Sequence, residues 1–218
     1  MKNSYSNIFS FNKQILKKSI INLSNGDVIG LPTETVYGLG GNAYSKKSIQ
    51  KIYKLKGRPK SNPLIVHYYN LKDSSKDIII NEKLKKLYKH CCPGPITFIL
   101  KKKQVSKINP LASAKLKTVG IRFPKHKVIR SILKKINFPL AMPSANKSTN
   151  LSPVSAQDVF DEFKQSIQLI INGGKCRVGI ESTVIDLTNH PNILRPGIIS
   201  KRSIEKILKK KIKKNINK

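Results

Sequence analysis

Short apolar runs and helix-length segments alternate along almost the entire chain, and this alternation constrains the fold more than any other feature. Residues 28–31 and 64–69 are apolar runs of strand length, and a helix-length segment lies between them. That segment starts at Ser45, a typical helix-capping residue, and stops at about Lys56, just before Gly57. Strands that alternate with helices form a sheet with helices packed on it, so we predict an α/β fold with a mixed sheet.

The same patterns predict one domain without internal repeats. With 218 residues, of which 39% are hydrophobic, the chain can build one sizeable core but not two large ones. We place the core at about residues 10–208 and a basic tail at 209–218, with residues 209–214 as the frayed end of the last helix. The other helices are predicted over residues 12–24, 82–91, 127–136, 155–163 and from 201 onward, and the other strands over residues 95–100, 118–123, 140–142, 167–171, 183–187 and 193–194.

Hydropathy and cysteine content favour a protein of the cytoplasm. No segment approaches the roughly 18 consecutive apolar residues of a membrane-spanning helix, and the first residues lead into no apolar signal region. The three cysteines, Cys91, Cys92 and Cys176, are odd in number and lack metal-ligand spacing, which fits a reducing compartment. We therefore expect a cytoplasmic localisation and no membrane partner.

The formal net charge is +32, from 43 basic and 11 acidic residues. A charge of this size attracts phosphate groups and is typical of nucleic-acid-binding proteins. Lysine, however, accounts for 37 of the basic residues, is spread along the whole chain, and accompanies 30 isoleucines and 18 asparagines, which is typical of an A+T-rich coding sequence. A selected surface for polyanions and compositional drift therefore both stay open.

The segment LPTETVYGLGGNA, residues 31–43, contains a weak match to the dinucleotide-binding fingerprint G-x-G-x-x-A. That fingerprint needs an acidic residue about 20 positions further on, and none occurs from Thr35 to Lys72. The chain also lacks a Walker-type phosphate-binding loop. We expect instead a strand end and a glycine-rich turn, in which Thr33, Thr35 and Tyr37 offer hydroxyls to a small polar ligand. A plain turn with solvated hydroxyls is the alternative.

Cations gather at the end of the helix that is predicted to stop before Gly57. Lysines in a last helical turn can simply complement the helix dipole. Glycine, however, permits a sharp turn, so Lys56 and Arg58 could point at one anion. Asn62 adds an amide donor, and His67 lies on the following strand, where a histidine beside cations suits a ligand contact better than a core position.

Further polar residues follow or interrupt other predicted strands. Ser144 and Asn146 come directly after a strand, where α/β sheets commonly bind ligands, although an ordinary turn would also explain them. Arg122 lies within an apolar strand and needs an anionic partner, which a ligand could supply in a chain with few acids. Ser182 opens another strand, and Arg195 precedes a Pro-Gly turn that fixes its direction.

The candidate site combines cations, hydroxyls and amides with very few carboxylates. Glu34 and Glu181 are the only acidic residues directly next to these candidates, so neither a catalytic carboxylate pair nor a Ser-His-Asp triad is supported. A protein-ligated metal of the Cys/His kind is not supported either. Such a site suits a polyphosphate together with a carboxylate, where positioning and charge stabilisation supply most of the catalysis.

The motifs occur in an order that resembles the YrdC-like family of threonylcarbamoyl-AMP synthases. The resemblance rests on TETVYGL at residues 33–39, KGRP and NPL within 56–64, SAN at 144–146, STV at 182–184 and RPG at 195–197. It extends from about Val28 to Gly197 and includes the family's K-x-R and S-x-N pair. It implies the YrdC/RibB-like fold in its short single-domain form, a twisted mixed sheet flanked by helices around a large, positively charged cavity.

The resemblance also implies a reaction and its ligands. L-threonine, bicarbonate and ATP would give L-threonylcarbamoyl-AMP, pyrophosphate and water, and a tRNA threonylcarbamoyl transferase complex would use the product for the t6A modification at position 37 of tRNA. Mg²⁺ would be bound through the ATP phosphates, without a metal site in the protein. By motif, the catalytic residues would be Lys56, Arg58, Ser144 and Asn146, the threonine-binding residues Thr35, His67, Arg122, Met142 and Ser182, and the ATP-binding residues Lys56, Arg58, Asn62, Thr118, Ser144, Ser152 and Arg195.

Two alternatives stay open. One is a YrdC-like paralogue that acts mainly by binding double-stranded RNA or tRNA through the basic cavity, and such a protein would lose affinity steeply with salt. The other is a carbamoyl-adenylate domain of the hydrogenase-maturation type, which normally lies within a much longer chain with zinc motifs that this sequence lacks.

Overall fold

The computed structural model describes residues 7–214, and eleven strands within them form one mixed sheet. The strands are β1 (Ile8–Ser10), β2 (Ile29–Leu31), β3 (Gly38–Asn42), β4 (Ile65–His67), β5 (Ile96–Lys101), β6 (Thr118–Arg122), β7 (Leu140–Ala141), β8 (Ile170–Asn172), β9 (Thr183–Asp186), β10 (Asn192–Arg195) and β11 (Lys213–Lys214). Their order across the sheet is β1-β8-β2-β3-β7-β4-β6-β5-β9-β10-β11. Parallel pairs such as β4 with β6 stand beside antiparallel pairs such as β4 with β7, so the sheet is mixed.

Seven α-helices connect the strands in this part of the chain, with two short 3-10 helices at Pro110–Ser113 and Lys164–Ser166. The α-helices are α1 (Lys13–Ser24), α2 (Lys46–Lys56), α3 (Leu71–Ser74), α4 (Glu82–Cys91), α5 (Lys127–Leu133), α6 (Ala156–Phe163) and α7 (Lys201–Leu208). Their ends follow the sequence signals. Ser45 caps α2, Gly57 ends it with a φ of 59°, and Ser155 and Asp158 form the predicted capping box of α6.

Alternate residues of the central strands enter two hydrophobic clusters, one on each face of the sheet. Ile170 and Ile171 of β8 belong to opposite clusters, and so do Leu140 and Ala141 of β7. Helices α1 and α5 complete the cluster on one face, while α2, α4, α6 and α7 complete the other. The predicted single-domain α/β fold, a mixed sheet flanked by helices, is confirmed.

The glycine-rich segment 38–42 is a strand, β3, and the prediction of a turn there was wrong. Its glycines serve close packing rather than bending. A Cβ at Gly38 would lie 2.5 Å from Cγ of Met142, and one at Gly40 would lie 2.8 Å from Cδ1 of Leu31. Strand β3 pairs antiparallel with β2 and β7, which brings the residues just before it to the point where β7 ends.

The ends of the described chain also depart from the prediction. Helix α7 stops at Leu208, and Lys209 takes a φ of 51°, so the predicted frayed helix over residues 209–214 was wrong. Buried Ile212 joins the hydrophobic core, which draws the chain back to the sheet, and β11 then pairs with β10. Residues 215–218 of the predicted basic tail lie outside the described part.

Candidate active site

A cavity of about 290 Å³ opens where the ends of several strands meet. Its walls come from residues just before β3, from the start of β4 and the loop before it, from the ends of β6 and β10, and from the segments after β7 and before β9. These elements are distant in sequence but adjacent in the sheet. The cavity therefore brings together most of the residues proposed from the sequence, namely Arg58, Asn62, His67, Arg122, Met142, Ser144, Ser182 and Arg195.

Arg122, at the end of β6, already has an anionic partner within the protein. Its Nη2 donates to Oε1 of Glu34 at 2.7 Å and to Oγ1 of Thr35 at 2.8 Å. Burial opposes ionisation of Glu34, but the charge and hydrogen bond of Arg122, together with backbone N–H donors such as that of Lys125, outweigh it and lower the pKa of that carboxyl. Glu34 therefore supplies one anionic partner, and contact of Arg122 with a ligand anion stays a prediction. Nε of Arg122 has no partner among the described residues.

His67, at the end of β4, lies on the cavity wall and is only 1% exposed. Neither of its ring nitrogens makes a hydrogen bond of normal geometry within residues 7–214, although backbone groups of Ile65 and Leu140 lie near the ring. Burial, and then the nearby charge of Arg122, lower the pKa of His67 to about 3. The imidazole is therefore neutral near pH 7, with one N–H group and one lone pair available to a ligand.

Ser182, just before β9, and Arg195, at the end of β10, also line the cavity. Nε and Nη2 of Arg195 donate to the backbone oxygen of Ser182 at 3.1 and 3.0 Å, and its Nη1 pairs with the carboxylate of Glu181. The hydroxyl of Ser182 also lies 2.8 Å from the hydroxyl of Thr97 on β5. These bonds fix the Arg195 guanidinium against the two residues just before β9.

Arg58 reaches the cavity because Gly57 turns the chain at the end of α2. Its Nη2 donates to Oδ1 of Asn62 at 2.5 Å and to the backbone oxygen of Pro63 at 3.0 Å. Its Nε donates to the backbone oxygen of Asn62 at 3.0 Å. The guanidinium is thus held by the loop that leads into β4, and it stays partly exposed.

Lys56 is 2% exposed and lies behind the cavity wall rather than on it. Its Nζ donates to the backbone oxygen of Ser144 at 2.6 Å and to that of Asn146. Burial, and then repulsion from Arg58, lower the pKa of Lys56 to about 8. The side-chain amide of Asn146 donates to the backbone oxygen of Asn150 at 2.7 Å, so both residues support the segment that carries Ser144.

The hydroxyls of Thr33, Thr35 and Tyr37 make hydrogen bonds inside the protein. Thr33 and Tyr37 also line the cavity, and contact of the three residues with a ligand stays a prediction. Thr33 Oγ1 donates to the backbone oxygen of Val36 at 2.6 Å, and Tyr37 donates to that of Gly174 at 2.8 Å. The hydroxyl of Thr35 forms a hydrogen bond with the hydroxyl of Thr33 and accepts another from the guanidinium of Arg122. All three side chains are buried, so they fix the TET segment and its glutamate.

Comparison with known proteins shows which family the chain belongs to. A model for Sua5_yciO_yrdC, described as "Telomere recombination", matches residues 22–197. The chain belongs to the Sua5/YciO/YrdC family. Among curated relatives, it is 40% identical over 190 residues to a threonylcarbamoyl-AMP synthase of Pyrococcus abyssi, which covers 85% of this chain and 55% of that protein.

A second curated relative of the Sua5/YciO/YrdC family gives the same picture. The chain is 40% identical over 189 residues to a threonylcarbamoyl-AMP synthase of Bacillus subtilis, covering 85% of this chain and 54% of that protein. A crystal structure of P. abyssi Sua5 complexed with L-threonine matches with a TM-score of 0.88 and 35% identity, over 95% of this chain and 62% of that one. The chain thus spans about half the length of these two curated relatives.

Five of the residues proposed from the sequence do not line the cavity of this Sua5/YciO/YrdC member. Thr35 and Lys56 bond residues that do, and the backbone oxygen of Asn146 accepts a hydrogen bond from Lys56. The hydroxyl of Ser152 donates to Glu181 on the wall at 3.4 Å, and Thr118 opens β6, four positions before the arginine that ends it. Their roles in binding ATP or threonine stay predictions.

Sequence reasoning missed the partners that orient the cavity residues. Glu34 and Glu181 pair with two of the wall arginines, and Thr97 supports Ser182. The two carboxylates carried a signal, because acids are scarce in this chain, Glu34 lies inside the TETVYGL motif and Glu181 directly precedes STV. Thr97 carried none, since a threonine within an apolar strand is unremarkable.

The described residues 7–214 contain no group of three or more His, Cys, Asp or Glu side chains that could hold a metal ion. No helix in the same part of the chain is long and apolar enough to cross a membrane. The three cysteines are free thiols.

Proposed function

We propose that the chain makes L-threonylcarbamoyl-AMP and pyrophosphate from L-threonine, bicarbonate and ATP, for the t6A modification at position 37 of tRNA. The observation that carries this proposal is the meeting of Arg122 and His67 with Arg58 in one cavity. The likeness to a Sua5 structure complexed with L-threonine, over 95% of this chain, supports it. A tRNA threonylcarbamoyl transferase complex would then use the product.

One side of the cavity suits threonine, and we call it the threonine side. Arg122 is fixed by Glu34, and its Nε would donate to the threonine carboxylate together with the Ser182 hydroxyl. Neutral His67 would bond the amine or hydroxyl of the amino acid. The side chain of Met142, 4% exposed, offers an apolar surface to the threonine methyl group.

The other side of the cavity suits a nucleotide, and we call it the nucleotide side. Arg58 and Arg195 would bind phosphate oxygens, with Asn62 and the Ser144 hydroxyl as further donors. Lys56 and Asn146 would act by holding the Ser144 segment. The predicted ATP contacts of Thr118 and Ser152 belong to this side.

The proposed chemistry depends on holding several negative charges close together. The amine of threonine takes up bicarbonate and releases water, which gives a carbamate. A carbamate oxygen then attacks the α-phosphorus of ATP, and pyrophosphate leaves. Because nucleophile and leaving group are both anionic, prepositioned guanidinium groups lower the barrier by offsetting their repulsion. The wall of the cavity carries three, from Arg58, Arg122 and Arg195.

We expect Mg²⁺ to enter the site with ATP, bound to phosphate oxygens. The carboxylate of Glu181 and the hydroxyl of Ser144 are oxygen ligands of the type that Mg²⁺ prefers, and both lie on the cavity wall. The ion would offset phosphate charge. Glu181 and Ser144 would orient the nucleotide that carries it.

An omission assay tests the proposed function. Pyrophosphate release from ATP should require both L-threonine and bicarbonate, and leaving out either should return the rate to background. Equal release without threonine, or formation of ADP instead of pyrophosphate, would contradict the proposal.

A second candidate function, binding of tRNA or double-stranded RNA, is favoured by the net charge of +32 alone. An RNA-binding protein would bind without threonine or ATP and would lose affinity steeply as salt is raised. The buried, unpartnered nitrogens of His67 and the internally paired arginines fit a small polar ligand better than an RNA backbone.

A further inference from the structure

Ser144 opens an irregular segment, residues 144–152, which we call the Ser144 loop. The loop contains no helix or strand, and its Thr149 has a φ of 81°, a region that β-branched residues rarely adopt. Such a conformation persists only where surrounding contacts hold it. Ser144 itself pairs with Gly38, and the N–H of Ala145 donates to the backbone oxygen of Tyr37 at 2.8 Å. The contacts further along the loop therefore decide the position of the segment that follows Ser144.

The end of α2 holds the loop from one side. Nζ of Lys56 donates to the backbone oxygens of Ser144 and Asn146, and the backbone oxygen of Lys56 accepts the N–H of Ser148 at 2.9 Å. These contacts fix the first half of the loop, next to the cavity.

A carboxylate on α6 holds the loop from the other side. Oε1 of Glu162 accepts the backbone N–H of Lys147 at 2.8 Å and the side-chain N–H of Asn150 at 2.8 Å. The backbone oxygen of Asn150 in turn accepts the amide of Asn146, so the loop is closed on itself. Helix α6 is a rigid support, because its capping box is complete and its apolar face is buried in the core.

We propose that Glu162 is a positioning residue for the nucleotide side of the cavity, an inference that rests on the proposed function. It touches no cavity residue directly and acts through Lys147 and Asn150, which fix the loop that begins with Ser144. Without it, the strained backbone at Thr149 relaxes, and the loop between Ser144 and Ser152, both placed on the nucleotide side, loses its support from α6. The threonine side stays intact, because Arg122 and His67 lie on β6 and β4.

Three variants separate this role from a general effect of charge. Glu162→Ala removes both hydrogen bonds, whereas Glu162→Gln keeps an amide oxygen in the same place and removes only the charge. The matched control is Asp161→Ala, which removes a carboxylate from the same helix that is paired with Lys164 on the surface. Asn150→Ala, which removes one of the two bonds, serves as a second test of the tether.

Steady-state pyrophosphate release and amide hydrogen exchange are then measured on each variant. Glu162→Ala should raise the KM for ATP about tenfold, as expected for loss of a hydrogen bond to a charged group, and leave the calorimetric Kd for L-threonine within about twofold. Glu162→Gln and Asp161→Ala should stay within about threefold of the wild type in KM. The amide of Lys147 should exchange faster in Glu162→Ala without any ligand, and Asn150→Ala should shift KM in the same direction by less.

The proposal is overturned if Glu162→Gln is as damaging as Glu162→Ala, because charge rather than the tether would then matter. It is also overturned if Glu162→Ala matches Asp161→Ala in both KM and amide exchange. A wild-type enzyme without threonine-dependent pyrophosphate release would instead refute the proposed function. The exchange of the Lys147 amide would still test the tether in that case, since it is measured without substrates.

Discussion

At the scale of single residues, the cavity uses arginines that the protein has already paired. Glu34 holds Arg122, and Glu181 holds Arg195. An arginine that is paired on one side keeps a fixed direction, and it still has N–H groups to offer a ligand. The internal pairs therefore fix the direction of the cavity arginines, and their carboxylates lower the net positive charge of the cavity.

Replacing Arg58 should remove most adenylate formation and leave the fold intact. The side chain is partly exposed and its hydrogen bonds are local, so Arg58→Ala should not change the melting temperature. We expect kcat/KM for pyrophosphate release to fall by about 10²–10³, the usual effect of losing one prepositioned charge-stabilising donor. Lys60→Ala, an exposed cation two positions further on, is the control and should retain activity. Wild-type rates in Arg58→Ala would refute this assignment.

His67 should make the protein less stable in acid. Its pKa is about 3 when folded, compared with about 6.5 for a free histidine, because burial and Arg122 both disfavour the charged form while Glu34 opposes them. Between these two values only the unfolded chain binds the proton, so the free energy of unfolding falls as pH decreases from 6.5 to 3. Above pH 6.5, His67 is neutral in both states and causes no loss of stability.

Urea unfolding at several pH values measures the contribution of His67. For this single histidine, the free energy of unfolding changes with pH by at most about 1.4 kcal/mol per pH unit. His67→Gln should make the acid slope shallower by about this amount, and an unchanged slope would show that the imidazole is not buried in its neutral form.

At the scale of helices and strands, local signals predicted most elements, while packing decided the rest. Ser45 and Gly57 bound α2, and the capping box at Ser155 starts α6, because caps act within a few residues. Strand β3 was not predicted, because its glycines are required by close contacts with Met142 and Leu31, which are distant in sequence. No local pattern reports such contacts.

The cavity residues also divide into those that local motifs predicted and those whose positions depend on packing. Motifs indicated Arg58 and Ser144 as parts of one site, and the cavity contains both. They could not indicate that Lys56 would lie behind the wall, because this depends on where α2 packs against the Ser144 loop. They also could not indicate which carboxylate would pair with Arg122, since Glu34 is 88 positions away in sequence.

Gly197, just after β10, should not tolerate a side chain. A Cβ there would lie 2.4 Å from the backbone nitrogen of Thr183 and 2.8 Å from the backbone oxygen of Glu181. Gly197→Ala should therefore displace the start of β9, lower the stability by about 1–3 kcal/mol and weaken threonine binding through Ser182. Thermal unfolding and calorimetric titration with L-threonine measure the two effects.

Gly120→Ala is the matched control for that substitution. Its Cβ would meet only side-chain atoms, at 3.3 Å or more, so we expect a smaller loss of stability and little change in threonine affinity. Equal melting temperatures for the two variants would contradict the account of Gly197.

At the scale of the whole molecule, the charge of +32 is separate from the chemistry of the cavity. We expect binding to tRNA to be weak and largely lost at moderate salt, as is typical of non-specific phosphate contacts. Threonine-dependent pyrophosphate release should persist over the same salt range, because the wall arginines are held by internal partners. Filter binding and the release assay, run in parallel from about 50 to 200 mM salt, compare the two. Parallel loss of both would contradict this separation.

The most direct test of the central claim follows the bicarbonate carbon. With ¹⁴C-bicarbonate, L-threonine and ATP, the account predicts a labelled adenylate that contains threonine and forms in equal amount to pyrophosphate. Label that never joins threonine and AMP in one product, or pyrophosphate released without that product, would contradict the claim that one cavity binds threonine beside the nucleotide.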